Sequence, residues 1–187
     1  MNTLITYLNS IHPLSEELKC HLLNTVKTIY VPKKGFIVEP GHICRNIFFI
    51  ESGIVRHYRM ERGNEITFHI MEKNGIVFNV ESFCKKSFSS QFIQAVEPTG
   101  LHYVSISELQ NIFCRFSEFQ TIFWELVSHY NITRGLREQV LCMKYFKDRY
   151  KHMLLISPHI SSRVSKKVLA SYLGCAGETL SRIKKPK

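Results

Sequence analysis

Over residues 28–105 the apolar positions come in short runs: TIYV, GFIV, NIFFIESG, IVRHYRM, EITFHIM, GIVFNV, FIQAV and LHYVSI, separated by glycines at 35, 41, 53, 63, 75 and 100. Strand-length runs with turn signals about every eight to twelve residues predict an antiparallel sandwich or roll. Glu61, Arg62, Gly63 and Asn64 fit a four-residue hairpin loop between two of the strands. On either side the period changes to that of helices. Residues 3–11 and 15–25 read as two short ones, the second capped by Ser15 with Glu16 and Glu17 in its first turn. Helical spacing returns at 107–113. A long helix then starts at Ser117, where Ser117 and Gln120 have capping-box spacing.

The long helix has two apolar faces. One is a heptad seam of Ile122, Leu126, His129, Thr133, Leu136, Val140 and Met143; the other comprises Phe123, Val127, Tyr130 and Leu141. Two faces imply two partners. The second stripe is expected to cover the roll, leaving Ile122, Leu126, Leu136, Val140 and Met143 as the interface of a homodimer. Gly135 costs roughly 1 kcal/mol inside a helix and points to a bend or a close approach. The pattern breaks at 144–148, the expected hinge, and a short helix follows, ended by Pro158.

The last stretch, SKKVLASYLGCAGETLSRIKK, contains two short helices and a tight turn. Ser165 is the N-cap of the first, which places Val168, Leu169, Tyr172 and Leu173 on one apolar stripe. Gly174 ends it, since glycine reaches the left-handed conformation without steric cost. In the second, Leu180 and Ile183 face inward, and Glu178, Thr179, Ser181 and Arg182 face outward. A carboxylate accepts from cytosine N4 and a guanidinium forks onto guanine O6 and N7, so Glu178 and Arg182 suit major-groove edges.

Charge supports this assignment. Residues 144–187 hold eleven Lys or Arg against two acids, whereas the chain as a whole has a net charge of +10. A polyanion would therefore meet nearly all of the excess charge in the C-terminal unit. At 187 residues and 44% apolar content the chain has room for a core and a smaller second unit. The N-terminus lacks a basic n-region with a long apolar stretch, and no segment reaches the ~18 apolar residues of a membrane span, so a cytoplasmic protein without membrane contact is expected.

Six cysteines, at 20, 44, 84, 114, 142 and 175, form no C-x-x-C pair, which argues for reduced, mostly buried thiols and against zinc or iron–sulfur ligation. No His-x-His pair of the cupin type occurs. Glu65 and His69, four apart in a strand, read as a surface pair on one face, and His57, His102 and His129 as isolated core or seam residues. Without a Gly-rich phosphate loop, a nucleophile elbow or paired catalytic carboxylates, neither an enzyme site nor a cofactor or metal is expected.

A roll, a long central helix and a terminal helix pair ending GETLSRIKK together resemble the Crp/Fnr superfamily of bacterial transcription regulators, and the ASYLGCAGETLSR segment is particularly similar to members from Bacteroidetes. NIFFIESGIVR and FIQAVE carry the rest of the resemblance. The implied fold is α+β: an antiparallel jelly roll of the cyclic-nucleotide-binding type over residues 1–115, a dimerisation helix over 116–145 and a helix-turn-helix over 146–187. The resemblance implies a homodimer on an inverted repeat of double-stranded DNA, with RNA polymerase as a further partner. Glu178 and Arg182 fall at base-reading positions. Lys166, Lys167, Thr179 and Ser181 fall at phosphate positions, with Lys184 and Lys185 supplying further backbone contacts in place of a C-terminal wing.

The cyclic-nucleotide cassette departs from the family pattern. Its Gly-Glu opening is matched to Gly75-Ile76, its Arg-Ser ending to Ser89-Ser90, and its purine-contacting hydroxyl residues to Arg134 and Gly135. Ile76, Ser89, Ser90 and Arg134 therefore define a degenerate effector pocket that is not expected to take cyclic AMP. Lys85 and Lys86 read as a solvated pair. An alternative small-molecule effector would lie along Phe78, Phe83, Phe88 and Phe92, and its identity is unknown. Ala176 stands at the serine N-cap position of the last helix, and Gly177 where many members place an arginine.

Overall fold

A computed structural model describes residues 2–184. Two helices open the chain, α1 (Asn2–Ile11) and α2 (Glu16–Thr25). The Ser15 hydroxyl caps α2 by accepting from the Leu18 N–H at 3.2 Å. Eight strands follow: β1 (Lys27–Val31), β2 (Phe36–Val38), β3 (Asn46–Ser52), β4 (Ile54–Glu61), β5 (Asn64–Glu72), β6 (Ile76–Val77), β7 (Phe92–Ala95) and β8 (Thr99–Ser105). They form two antiparallel sheets ordered β1-β8-β3-β6 and β2-β7-β4-β5, and the roll is the closed stack of the two.

Three local details differ from the sequence expectation. The β4–β5 pairing runs through to Glu61 and Asn64, leaving a two-residue turn of Arg62 and Gly63 with φ of 50° and 78°. Positive φ at both positions matches the right-handed twist of the flanking strands, which a longer loop need not do. The GIVFNV run yields only the short β6, because the chain turns into a helix, α3 (Val80–Lys85). Asn79 caps α3, accepting from the Ser82 N–H at 3.0 Å. The third difference is a bulge: His57 pairs with His69 and Tyr58 with Thr67, so Phe68 is left over. One extra residue shifts the side-chain alternation. Glu65 and His69 consequently do not share a surface; His69 is buried and Glu65 lies part-exposed at the strand edge.

Helix α4 (Ile106–Arg115) carries the capping box, formed by Ser105 and Glu108. The long helix α5 (Ser117–Cys142) instead starts behind Phe116 with no side-chain cap, so Ser117 and Gln120 do not form the expected box. Helix α5 joins the two hydrophobic clusters. Its first half packs Phe119, Ile122, Leu126 and Tyr130 into the roll core with Leu18, Phe48 and Leu109. Its second half delivers Val140 to the C-terminal helices α6 (Phe146–Ile156), α7 (Ile160–Arg163), α8 (Lys166–Leu173) and α9 (Gly177–Lys184), beside Met153, Leu169 and Leu180.

This packing corrects the dimer seam. Ile122 is fully buried, and Leu126 and Val140 are buried inside the chain's own core. Leu136 lines a cavity against the C-terminal unit, and the Met143 carbonyl accepts from Arg149 Nε at 2.9 Å. Ile122, Leu126 and Val140 thus face inward and Leu136 lines that cavity, while Met143, at the end of the helix, is half-buried. Tyr130, from the second stripe, joins them, so a single broad face covers both roll and C-terminal unit. The opposite face exposes Trp124 (70%) and Ile132 (61%). No helix among the described residues is long and apolar enough to cross a membrane.

Candidate DNA interface and roll pocket

Helices α8 and α9 are joined by Gly174, Cys175 and Ala176. The Ser165 hydroxyl accepts from the Val168 N–H at 3.4 Å, opening α8. At its other end Gly174 has φ of 67°, and the Cys175 N–H reaches back to the Ala170 carbonyl at 3.0 Å, the 6→1 bond of a glycine C-cap. Leu169, Leu173 and Leu180 bury the inner sides of both helices. Glu178 and Arg182 stand on the exposed side of α9, with Thr179 and Ser181 partly covered beside them.

The expected phosphate contacts divide. Lys166 is exposed at the start of α8. Lys167 pairs with Glu65 of the roll at 3.3 Å. The Ser181 hydroxyl donates to the Gly177 carbonyl at 2.9 Å, and Lys184 Nζ donates to the Ser161 carbonyl at 3.2 Å while lying over the Tyr150 ring. The Ser181 hydroxyl and the Lys184 ammonium are thus engaged within the fold, whereas Lys167 keeps 76% of its side chain exposed beside Glu65. Lys185 lies outside the described residues.

What sequence reasoning missed is how α8 is seated. Strand β5 is the last in its sheet, and an edge strand presents unpaired N–H and C=O groups. The Ser171 hydroxyl satisfies two of them, donating to the Glu65 carbonyl at 2.6 Å and accepting from the Thr67 N–H at 2.8 Å. Arg137 Nη2 of α5 donates to the Thr67 carbonyl at 2.9 Å and to the Tyr172 carbonyl of α8 at 3.1 Å. Further polar contacts extend this, His159 hydrogen-bonding with Glu72 and Arg163 forming ion pairs with Glu72 and Glu97 of the roll. Glu65 is itself held by buried Arg56 at 2.8 Å, whose Nε and Nη2 also donate to Gln94 Oε1.

Inside the roll a pocket of about 400 Å³ lies between β4–β5, α3 and α5, lined by His57, His69, Asn79, Gln91, Tyr130 and Arg134 among others. Of the four expected pocket residues only Arg134 lines it. Ile76 is buried in β6, paired with Phe49. Ser89 is buried with its hydroxyl fully engaged, accepting from Asn79 Nδ2 at 2.8 Å and donating to the Gln91 carbonyl at 2.8 Å. Ser90 is exposed outside it. Asn79 and Val80 at the start of α3, not Gly75 and Ile76, line it. Lys85 lines the pocket, paired with Glu81 at 3.0 Å. The aromatic strip does not: Phe78 and Phe83 stack edge-on in the core, and Phe88 is exposed.

His57 and His69 are not isolated, being direct cross-strand partners. Burial, reinforced by the Arg134 charge, pushes His57 down to about 4 despite a Gln91 hydrogen bond acting the other way. Burial, with His57, Arg134 and Arg137 adding to it, pushes His69 down to about 3. Both imidazoles are therefore neutral at pH 7. The pocket presents neutral amide, phenol and imidazole groups beside the Arg134 guanidinium and the Lys85–Glu81 pair. Among the described residues no group of three metal-ligating side chains comes together.

The architecture is thus a roll of two antiparallel sheets, a long helix across it and a terminal pair of helices joined by a glycine turn. No protein-family model matches the chain, and no curated protein does. Solved structures do match along most of its length. The c-di-GMP responsive global regulator CLP of Xanthomonas campestris superposes with a TM-score of 0.69 at 17% identity, covering 90% of this chain and 89% of that one. FixK2 of Bradyrhizobium japonicum gives 0.70 at 16%, covering 85% and 82%. A protein from Eubacterium rectale assigned to the Crp/Fnr family of transcriptional regulators gives 0.69 at 19%, covering 91% and 82%. The chain has the fold of the Crp/Fnr regulators.

Proposed function

We propose that the protein is a homodimeric, sequence-specific DNA-binding transcription regulator of Crp/Fnr type that is not controlled by cyclic AMP. The observation that carries this reading is the α8–turn–α9 pair, a helix-turn-helix whose second helix exposes Glu178 and Arg182 within the most cationic part of the chain. Two copies related by a dyad would place α9 in successive major grooves, about 34 Å apart, and read an inverted repeat. The surface available to a second copy is the outer face of α5, where Trp124 and Ile132 are exposed and nothing obstructs approach at Gly135. RNA polymerase is the partner that the family resemblance adds.

Arg182→Ala is expected to cost about 1 to 3 kcal/mol per base contact and to relax the preference at one base pair of each half-site. Lys166→Ala is expected to weaken operator and random duplex alike and to lower the slope of log affinity against log salt by roughly 0.9 for each phosphate that is no longer neutralised. Salt titrations of both duplexes measure the two effects. An unchanged specificity ratio in Arg182→Ala would make that residue a phosphate clamp and the base-reading assignment wrong.

Cyclic AMP and cyclic GMP are expected not to bind at micromolar concentration. Val80 at the start of α3 offers the ribose no carboxylate, the neighbouring Glu81 being paired with Lys85, and Ser89 offers the phosphate neither charge nor a free hydroxyl. The Arg134 guanidinium lines the pocket from α5 and has Glu138 at 4.0 Å, so a phosphate seated at Ser89 is desolvated without a charged partner beside it, at a cost of several kcal/mol. Calorimetry with either nucleotide measures it directly, and a micromolar dissociation constant sinks the claim.

A further inference from the structure

A second cavity, of about 270 Å³, lies outside the roll, where β5, the second half of α5 and the α6–α7 segment meet. Its walls are mostly apolar, with Ile70, Leu136, Val140, Met153 and Ile160 among them. Into this setting α5 places Arg137. Burial pulls its pKa down, the direction expected of a cation short of compensation. Its Nη2 has only the neutral Thr67 and Tyr172 carbonyls, and its buried Nε–H has no acceptor. Among the described residues it forms no ion pair, although most of the nearby cations do. His69 lines the same cavity. It is 98% covered, and its Nδ1 also lacks a partner.

The Tyr172 ring lies 4.9 Å from the Arg137 guanidinium carbon, and the Glu138 charge opposes part of the effect of burial; a partly buried guanidinium with no ion pair still gains from an anion that completes it. We propose that this cavity binds a small amphipathic monocarboxylate, with its carboxylate on Arg137 and its apolar body among Ile70, Val140, Met153 and Ile160. One charge fits one guanidinium. At the rim Glu72 and Lys73 carry one charge of each sign, so the rim adds no net cation for a doubly charged phosphate ester. Size points the same way. Ligand sites run from roughly 300 Å³ upwards, so a cavity of about 270 Å³ suits a small molecule.

The cavity walls come from roll, long helix and C-terminal unit together, and Arg137 is the residue that ties β5 to α8. Carboxylate binding and the seating of α8 on the roll therefore share one side chain. The proposal does not depend on DNA binding, and its test is carried out without DNA.

The probes are hexanoate and benzoate, with hexanamide and benzamide as uncharged controls, titrated into the full-length protein by calorimetry and by NMR shift perturbation. The expected result is saturable binding of at least one acid and an affinity roughly tenfold or more lower for its amide. Arg137→Gln should reduce acid binding to the level of the amide. Because Arg137→Gln also removes ties within the fold, Ile156→Trp serves as an independent variant: Ile156 lines the cavity and is half-exposed, so the larger ring fills the space while Arg137 stays in place. It should abolish binding with cooperative melting retained. Equal affinity for acid and amide, or undiminished binding to folded Ile156→Trp, overturns the proposal. So does loss of binding in Arg134→Ala alone, which would place the acid in the roll pocket. Failure of both acids to saturate overturns it as well.

Discussion

Lowering the pH from 7 to 5 is expected to remove about 4 kcal/mol of folding stability, roughly 2 kcal/mol for each of His57 and His69. The folded chain holds these imidazoles at about 4 and about 3, against roughly 6.5 in the unfolded chain. Their folded values are depressed, so the stability they contribute is fully present above about 6.5 and is lost as the pH falls towards the folded values. In that window the unfolded chain binds protons that the native state refuses. His102 acts in the same direction, since burial lowers its pKa as well. The carboxylates Glu65 and Glu108, held below their usual range, add their own loss only at lower pH. Against a typical total of 5 to 15 kcal/mol, a loss of about 4 is a large fraction. Urea titrations at a series of pH values measure the slope. His69→Gln lowers stability at pH 7 but should flatten the slope between 6.5 and 5 by about one proton, or ~1.4 kcal/mol per pH unit. If the wild type and His69→Gln have parallel pH profiles, His69 is not the buried neutral group described.

Ile122→Asp is expected to unfold the protein, whereas Trp124→Asp should leave it folded and turn dimers into monomers. The two positions are separated by a single residue on α5, yet Ile122 has no exposed surface and Trp124 has 70% of its own. A carboxylate at 122 would be buried among Leu18, Phe48, Leu109 and their neighbours with no partner. The cost is at least ~4 kcal/mol, which is much of a domain's stability. At 124 the carboxylate meets water in the monomer, and its cost falls entirely on contact with a second copy. Circular dichroism melts and light scattering on both variants separate fold from assembly. A folded monomeric Ile122→Asp would restore the inward stripe as the dimer seam, and a dimeric Trp124→Asp would remove the outer face from the interface.

Features whose cause lies within a few residues were legible in the amino-acid sequence alone. Ser15 and Ser165 cap helices because their hydroxyls reach an N–H three residues on. Gly174 stops α8 because its left-handed backbone suits glycine. Alternating apolar runs between glycines become antiparallel strands because pleating sets a period of two. The concentration of cationic residues after 144 is also a property of the chain alone. Other features exist only once the chain is packed. Helix α5 has apolar residues on more than one side, and no pattern says which stripe is covered by its own roll; packing against α4, β6 and the C-terminal helices decides that. The bulge at Phe68 carries no residue signal, yet it turns His69 inward beside His57 and creates a neutral pocket wall. Ser171 and Arg137 look like ordinary helix residues until the open edge of β5 comes within hydrogen-bond distance. Caps and periods arise from forces along the backbone, whereas a pocket or a docking edge is made by side chains up to about a hundred positions apart, and which of them meet is set by the whole core at once.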